Sequence, residues 1–217
     1  MLESVRSVLA IPAVYQLWTS AAGGPTFVKT LVNEYIQPQV DTRTLEIGCG
    51  PGTLVSYLPQ SGYFGFDLSS EYIEQARRQF PKAQFRCERV SKFALSQTKS
   101  FDVAIAIGIV HHLDDPEATQ LFQIAHAALK PGGKLVTVDG VPTKDQSAAA
   151  RWLLTRDRGE HVRSEEEYLK IGRQLFQDVK PIVRNDLLRI PYTHLILECI
   201  RPALSMEGGG LGSQVFQ

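Results

Sequence analysis

The chain has 217 residues, with 23 basic and 23 acidic side chains and therefore a formal net charge of zero. This length suits one α/β domain and is too short for two full ones. A neutral chain lacks the long-range attraction that a phosphate backbone exploits, so the composition favours small or neutral substrates and gives no sign of a nucleic-acid or membrane surface.

The sequence shows no targeting or membrane signal. Its first residues lack the apolar core of a signal peptide, and no apolar run is long enough to span a bilayer. Cys49, Cys87 and Cys199 are odd in number, far apart, and set in apolar or strand-like runs. We therefore expect reduced core thiols in a cytoplasmic protein.

Residues 1–40 are predicted to form a helical cap. Apolar residues recur at helical spacing on both sides of a break at 21–26, where Pro25 suits the first turn of a second helix. We expect the cap to cover the sheet. A further expectation, compatible with the first, is that Tyr15 and Trp18 fold over the mouth of a ligand site.

Residues 41–140 alternate between short apolar strands and helices, which indicates a parallel sheet covered on both faces. After a first strand that runs into a glycine cluster, the predicted strands cover 63–66, 83–87, 101–107 and 134–139, and the predicted helices cover 54–58, 70–80 and 116–129.

The pattern changes after Gly140. Residues 141–176 are predicted to form a substrate-side insertion with helices, one over 146–156 and one that opens with a capping box at 164–167. In this insertion the polar stretch 157–163 is expected to be either a lid or a solvated loop.

The last part of the domain, residues 177–203, contains two strand-like runs at 179–185 and 193–201. Their spacing fits an antiparallel hairpin on one edge of the sheet. Residues 206–217 are glycine-rich and are expected to be a flexible tail.

The glycine cluster is the strongest functional signal. From Glu46 to Gly52 the chain reads Glu-Ile-Gly-Cys-Gly-Pro-Gly, which places bare backbone and helical N–H groups at the carboxyl end of a strand. A dinucleotide-binding turn needs glycine at the position of Thr53, so a nicotinamide cofactor is disfavoured. The acid at Glu46 instead favours a ligand that carries an ammonium group.

This cluster resembles the first motif of the class I S-adenosylmethionine-dependent methyltransferases. Other segments follow in the order of that family. Asp67 ends the second strand about 20 residues further on, the run 101–115 contains His111 and His112, and the turn 130–133 leads into the fifth strand. The resemblance covers residues 40–140.

The resemblance implies S-adenosylmethionine as cofactor and S-adenosylhomocysteine as product. It implies one α/β domain over residues 1–205, a Rossmann-like doubly wound sheet of about seven strands, mostly parallel with an antiparallel C-terminal hairpin, plus the N-terminal helical cap. Asp67 is expected to hold the ribose hydroxyls. Glu88 is expected either to accept from the adenine amino group or to be an exposed carboxylate at a strand end. The implied cofactor-binding residues are Glu46, Gly48, Cys49, Gly50, Gly52, Asp67, Leu68, Glu88, Arg89, Val90, Ile107, Gly108 and His112.

The reaction implied is in-line displacement at the sulfonium methyl group, in which positioning can suffice and a base is needed only for a protonated nucleophile. Candidate bases are His111, His112 and His161, although the first two also suit a structural turn; His126 and His194 are expected to be structural. The substrate-side candidates are Tyr15, Trp18, Asp139, Arg158 and Arg163. We expect no metal ion.

The leading hypothesis is methyl transfer to an oxygen or nitrogen of a small-molecule acceptor, without nucleic-acid or membrane partners. The alternative is a regulatory or accessory protein that binds S-adenosylmethionine without turnover, and no residue separates the two. Nucleic-acid methylation is disfavoured because the chain lacks a basic stripe with aromatic residues. The acceptor and the oligomeric state stay open.

Overall fold

The computed structural model describes residues 23–96, 98–156 and 159–203. Its strands are β1 (Thr44–Ile47), β2 (Tyr63–Asp67), β3 (Gln84–Cys87), β4 (Phe101–Ile107), β5 (Leu129–Gly140), β6 (Asp178–Arg184) and β7 (His194–Ile200). They form one sheet in the order β3-β2-β1-β4-β5-β7-β6. The first five strands pair in parallel, whereas β7 is antiparallel to both β5 and β6. The predicted seven-strand, mostly parallel sheet with its antiparallel hairpin is confirmed, whereas residues 1–22 of the predicted helical cap and the predicted tail at 206–217 lie outside the described residues.

The described α-helices are α1 (Gly24–Leu31), α2 (Ser70–Gln79), α3 (Asp115–Ala128), α4 (Ala148–Thr155) and α5 (Glu165–Arg173). Side-chain oxygens of Ser69, Asp114, Ser147 and Ser164 each accept a hydrogen bond from the backbone N–H of the third residue of α2, α3, α4 and α5, respectively. The predicted capping box is confirmed, since the Glu167 side chain also accepts from the Ser164 backbone N–H.

One local prediction is met with a different helix type, and two are wrong. The helix expected over 54–58 is the short 3-10 helix Thr53–Tyr57, which ends there because Leu58 precedes a proline and is held in an extended conformation. The turn expected at 130–133 lies inside β5, whose register against β4 shifts there while Gly132 takes a φ of +79°. Cys87 is exposed rather than buried, because β3 is the edge strand.

Two apolar layers enclose the sheet. Along β4, Val103 and Ile105 face the layer that contains α1 and α2, while Ala104 and Ala106 face the layer that contains α3 and α5. The largest buried side chains of the second layer include Phe122 on α3, whose ring meets Phe176 edge-on at 6.5 Å. Burial on both faces explains why these strands lack polar alternation.

The sheet has its topological switch point between β1 and β4. The chain runs outward from β1 to β2 and β3, then returns to the other side of β1 as β4. Connections therefore leave the two strands in opposite directions, and a crevice opens at their carboxyl ends where α/β proteins bind ligands. None of the helices in the described ranges combines the length and apolarity needed to cross a bilayer.

The α3–α5 layer can be tested by truncating Phe122. We expect Phe122→Ala to lower the free energy of unfolding in urea by about 3 to 5 kcal/mol, because the fully buried ring would leave a cavity. Val40, which is 95% exposed, supplies the control: Val40→Ala should change stability by less than about 0.5 kcal/mol. Equal losses in the two variants would contradict the packing described.

Candidate functional site

The glycine turn after β1 is built from left-handed backbone. Gly48, Gly50 and Gly52 have φ angles of +73°, +52° and +83°, which side chains rarely tolerate. A Cβ at Gly48 would overlap the Ile109 side chain, whereas a Cβ at Gly50 would meet no atom within 4 Å. The turn therefore packs tightly against the segment after β4 and leaves open space at its tip.

Asp67 connects this turn to the end of β2. Its Oδ2 accepts a hydrogen bond from the Gly50 N–H at 2.9 Å, and its Oδ1 accepts from the Ser69 N–H at 2.8 Å. Each carboxylate oxygen keeps a second acceptor position, which fits a vicinal diol such as ribose. The neighbouring Leu68 side chain is 57% exposed and adds an apolar surface next to the carboxylate.

The next strand end places Glu88 beside Asp67. The Glu88 N–H donates to the Asp67 carbonyl at 2.9 Å, and Glu88 Oε1 accepts from the Arg89 N–H at 3.1 Å. Glu88 is half-buried and Arg89 exposed, so both are open to a ligand. The Val90 side chain is buried in the core, so the predicted contact of Val90 with a cofactor would have to come from its backbone.

The turn after β4 brings His111 to Asp139. Gly108 follows Ile107 with a φ of +62° and donates its N–H to the Val138 carbonyl at 2.7 Å. Asp139 Oδ1 then accepts from the His111 backbone N–H at 3.1 Å and lies 2.7 Å from His111 Nδ1. A carboxylate at this position favours the tautomer with the proton on Nδ1 and leaves Nε2 as the basic nitrogen.

The two members of this pair are both buried. Asp139 Oδ2 is also buried and has no hydrogen-bond partner within the described residues. A buried carboxylate oxygen without a donor is costly, so this atom indicates a place for a donor group. The His112 ring lies beside that of His111, with the ring centroids 4.2 Å apart.

Residues 159–163, here called the strap, cross over His111. The His161 N–H donates to the His111 carbonyl at 2.9 Å. Arg163 is only 7% exposed, and its guanidinium donates to Asp115 and to carbonyls of the chain rather than facing an open site. The structure thus gives Arg163 an anchoring position, in contrast to the substrate-side role expected from the sequence. Tyr15, Trp18 and Arg158 lie outside the described residues.

An aromatic group at the end of β5 was not expected from the sequence, in which His194 is predicted to be structural only. The His194 ring lies 5.4 Å from that of Phe27 and 4.8 Å from that of Tyr192, measured between centroids. Gly140 leaves room for it, because a Cβ there would overlap the Tyr192 hydroxyl. The sequence did hold one indication of this group. His194 is the first residue of a strand that is buried on both faces, so its side chain is expected to pack against neighbouring side chains.

Glu46 lies beneath the glycine turn. It is 4% exposed, and Tyr63 donates its hydroxyl hydrogen to Glu46 Oε2. Burial raises the pKa of Glu46 from 4.5 to about 8, an effect that the Tyr63 hydrogen bond opposes and the nearby charge of Asp67 reinforces. Burial likewise raises the pKa of the Cys49 thiol. At neutral pH Glu46 is therefore mostly protonated. The contact of Glu46 with a ligand ammonium group stays a prediction, and it would be made by Oε1, because Oε2 already accepts from Tyr63.

Within the described ranges, no three His, Cys, Asp or Glu side chains are grouped so that they could hold a metal ion.

Comparisons with known proteins agree with this geometry. The family described as "Methyltransferase domain" matches residues 44–133, from β1 through the glycine turn and Asp67 into β5. The Haemonchus contortus phosphoethanolamine N-methyltransferase 2, solved with S-adenosyl-L-methionine, shares the fold with a TM-score of 0.66 at 16% identity, over 84% of this chain and 54% of that one. Residues 44–133 of the chain are therefore similar to a methyltransferase domain, and the chain shares its fold with a methyltransferase structure.

Two further relatives indicate how much of the chain this similarity covers. The ubiquinone biosynthesis O-methyltransferase of Xanthomonas oryzae is 31% identical over 111 residues, which are 47% of this chain and 46% of the relative. A Thermotoga maritima protein described as a possible histamine N-methyltransferase has a TM-score of 0.66 at 17% identity, over 88% of this chain and 96% of its own. The chain spans about half the length of the curated relatives it matches.

The buried acid gives a prediction about stability and pH. In the unfolded chain Glu46 ionises near 4.5, but in the folded protein it ionises only near 8. Its contribution to stability is therefore fully present below pH 4.5 and is lost as the pH rises through about 8. Between these two pH values the free energy of unfolding of the original chain should fall by up to about 1.4 kcal/mol per pH unit because of Glu46. We expect the Glu46→Gln variant to lack this fall, because glutamine does not ionise.

The measurement is urea unfolding at several pH values between those limits. Glu74→Gln changes an exposed acid and should keep the slope of the original chain. If Glu46→Gln and the original chain show the same dependence on pH, the burial of an acid beneath the turn is refuted.

Proposed function

We propose that this protein binds S-adenosylmethionine in the crevice between β1 and β4 and transfers its methyl group to an oxygen or nitrogen of a small-molecule acceptor. The observation that carries the proposal is the Asp67 carboxylate, held by the Gly50 N–H at the side of an open glycine turn. The match of residues 44–133 to the methyltransferase domain and the methyltransferase names of the relatives support the same proposal.

The residues at the three strand ends match the parts of the cofactor. Asp67 would receive the two ribose hydroxyls at its remaining acceptor positions. Glu88 would accept from the adenine amino group, and the exposed Leu68 side chain would cover one face of the adenine ring. The bound cofactor supplies the electrophilic methyl group, so the protein has to bind it, orient the acceptor and exclude water.

His111 is the proposed base for an acceptor that must lose a proton. Asp139 holds its Nδ1–H, which directs the basic character to Nε2 and stabilises the imidazolium after proton transfer. A Cβ built on Gly108 would lie 3.9 Å from His111 Cε1, so the ring borders the turn that follows β4. The hydrogen bond to Asp139 favours His111 over His112 and His161, which stay alternative candidates.

Binding of the cofactor tests the first half of the proposal. We expect Asp67→Ala to weaken S-adenosylmethionine binding by about 100-fold, the effect of losing two hydrogen bonds to a charged acceptor. Isothermal titration of the original chain and the variant measures this directly. Glu71→Gln changes an exposed acid in the adjacent helix and should leave the affinity unchanged. If the original chain does not bind S-adenosylmethionine at millimolar concentration, the whole proposal is refuted.

Transfer of label tests the second half. The chain is incubated with S-adenosylmethionine labelled at its methyl group and with a panel of phenols, amines and small-molecule extracts. We expect His111→Gln to keep cofactor affinity and to lower transfer by about 100-fold or more, the usual contribution of a general base. His126→Gln, on α3, should leave transfer unchanged.

The outcomes of this assay separate the competing functions. Labelled product identifies an enzyme and, through its structure, the accepting atom. Tight cofactor binding with no transfer to any acceptor would instead favour a regulatory or accessory protein. Full transfer by His111→Gln would show that positioning alone supports the reaction.

A further inference from the structure

We infer that Arg163 and Gly159 are positioning residues, which fix the orientation of the His111 imidazole by holding the strap against it. This inference rests on the proposed function, because it concerns the residue proposed there as the base.

Every N–H group of Arg163 has an acceptor within the described residues. Nε and Nη2 donate to Asp115 Oδ1 at 3.0 and 2.7 Å. Nη1 donates to the carbonyls of Val110 and His161 at 3.0 and 3.1 Å, and Nη2 also donates to the carbonyl of Leu113 at 2.7 Å. These five contacts match the five donors of a guanidinium, so no donor remains for a ligand.

The acceptors of Arg163 enclose His111 along the chain. Val110 directly precedes His111, and Leu113 follows two residues later. The third carbonyl belongs to His161, in the strap itself, so one side chain joins the strap to both sides of the histidine turn. Lysine cannot reproduce this arrangement, because it carries a single nitrogen without a planar fork.

The strap lies directly on His111. In addition to the hydrogen bond from the His161 N–H to the His111 carbonyl, Gly159 packs against the ring. A Cβ at Gly159 would overlap His111 Cδ2 and would lie 2.8 Å from the His111 carbonyl oxygen. Only glycine allows the backbone to approach so closely.

The imidazole is therefore held on two edges. Asp139 Oδ1 fixes the Nδ1 edge at 2.7 Å, and the backbone of Gly159 fills the space against Cδ2. Rotation of the ring would break the first contact and would collide with the second. Arg163 acts on the ring indirectly, because it holds the strap that blocks the rotation. Pre-set orientation of a base is worth more than proximity alone, because proton transfer depends on alignment.

Nuclear magnetic resonance of the imidazole nitrogens tests this without any acceptor. The chain has five histidines, so single substitutions assign their signals. In the original chain we expect His111 to show a proton on Nδ1 that exchanges slowly with solvent. Gly159→Ala and Arg163→Lys should raise its exchange rate by about tenfold or more, the effect of losing one charge-assisted hydrogen bond.

Arg173→Lys is the matched control, since Arg173 is exposed on α5 and should not affect the His111 signal. Backbone amide spectra of the sheet show whether each variant is folded. If Arg163→Lys does not fold, the Gly159→Ala variant alone decides the test. The inference is overturned if a folded Gly159→Ala or Arg163→Lys variant keeps the original shift and exchange rate, or if the original chain lacks a protected Nδ1 proton.

The two proposals fail in different ways. If Gly159→Ala releases the ring while His111→Gln retains full methyl transfer, the strap positions His111 but His111 is not the base. If His111→Gln abolishes transfer while Gly159→Ala and Arg163→Lys leave the Nδ1 proton unchanged, His111 is the base and Asp139 orients it without the strap.

Discussion

The hydrogen bond from the Gly50 N–H to Asp67 Oδ2 joins the two halves of the ligand crevice. It connects the turn after β1 with the end of β2, and it requires the turn to lie close to the sheet. That approach depends on left-handed glycines in the turn and on Gly65 in β2, where a Cβ would lie 2.9 Å from Cys49 Sγ. A side chain at Gly65 would push the turn away from β2 and from the Asp67 carboxylate.

Burial of polar groups organises the second half of the site. His111, Asp139 and Arg163 are all buried near the carboxyl ends of β4 and β5. Groups of this kind are stable inside a protein only when they are paired, and here each satisfies another element: the aspartate holds the histidine turn, and the arginine holds the strap over it. Asp139 Oδ2 has no hydrogen-bond partner within the described residues, and a donor group on a ligand would satisfy this atom.

Glu46 contributes to the stability of the glycine turn. Placed in the centre of the sheet, its carboxyl group is bonded to Tyr63 and its pKa is raised to about 8 by burial. It therefore supports the glycine turn from below as a largely neutral group.

Local patterns in the sequence were sufficient for most of the individual strands and for the Ser164 cap, because strand and helix periodicity and caps depend on neighbouring residues. The seven-strand doubly wound sheet and the place of Asp67 beside the glycine turn were instead implied by the resemblance to a known family. The pairing of His111 with Asp139, 28 residues away, and of Arg163 with Asp115, 48 residues away, became visible only in the folded chain. So did the exposure of Cys87 and the burial of Val90. These features depend on strand register and on which face of one element packs against another. Side-chain spacing along a single segment determines neither of these.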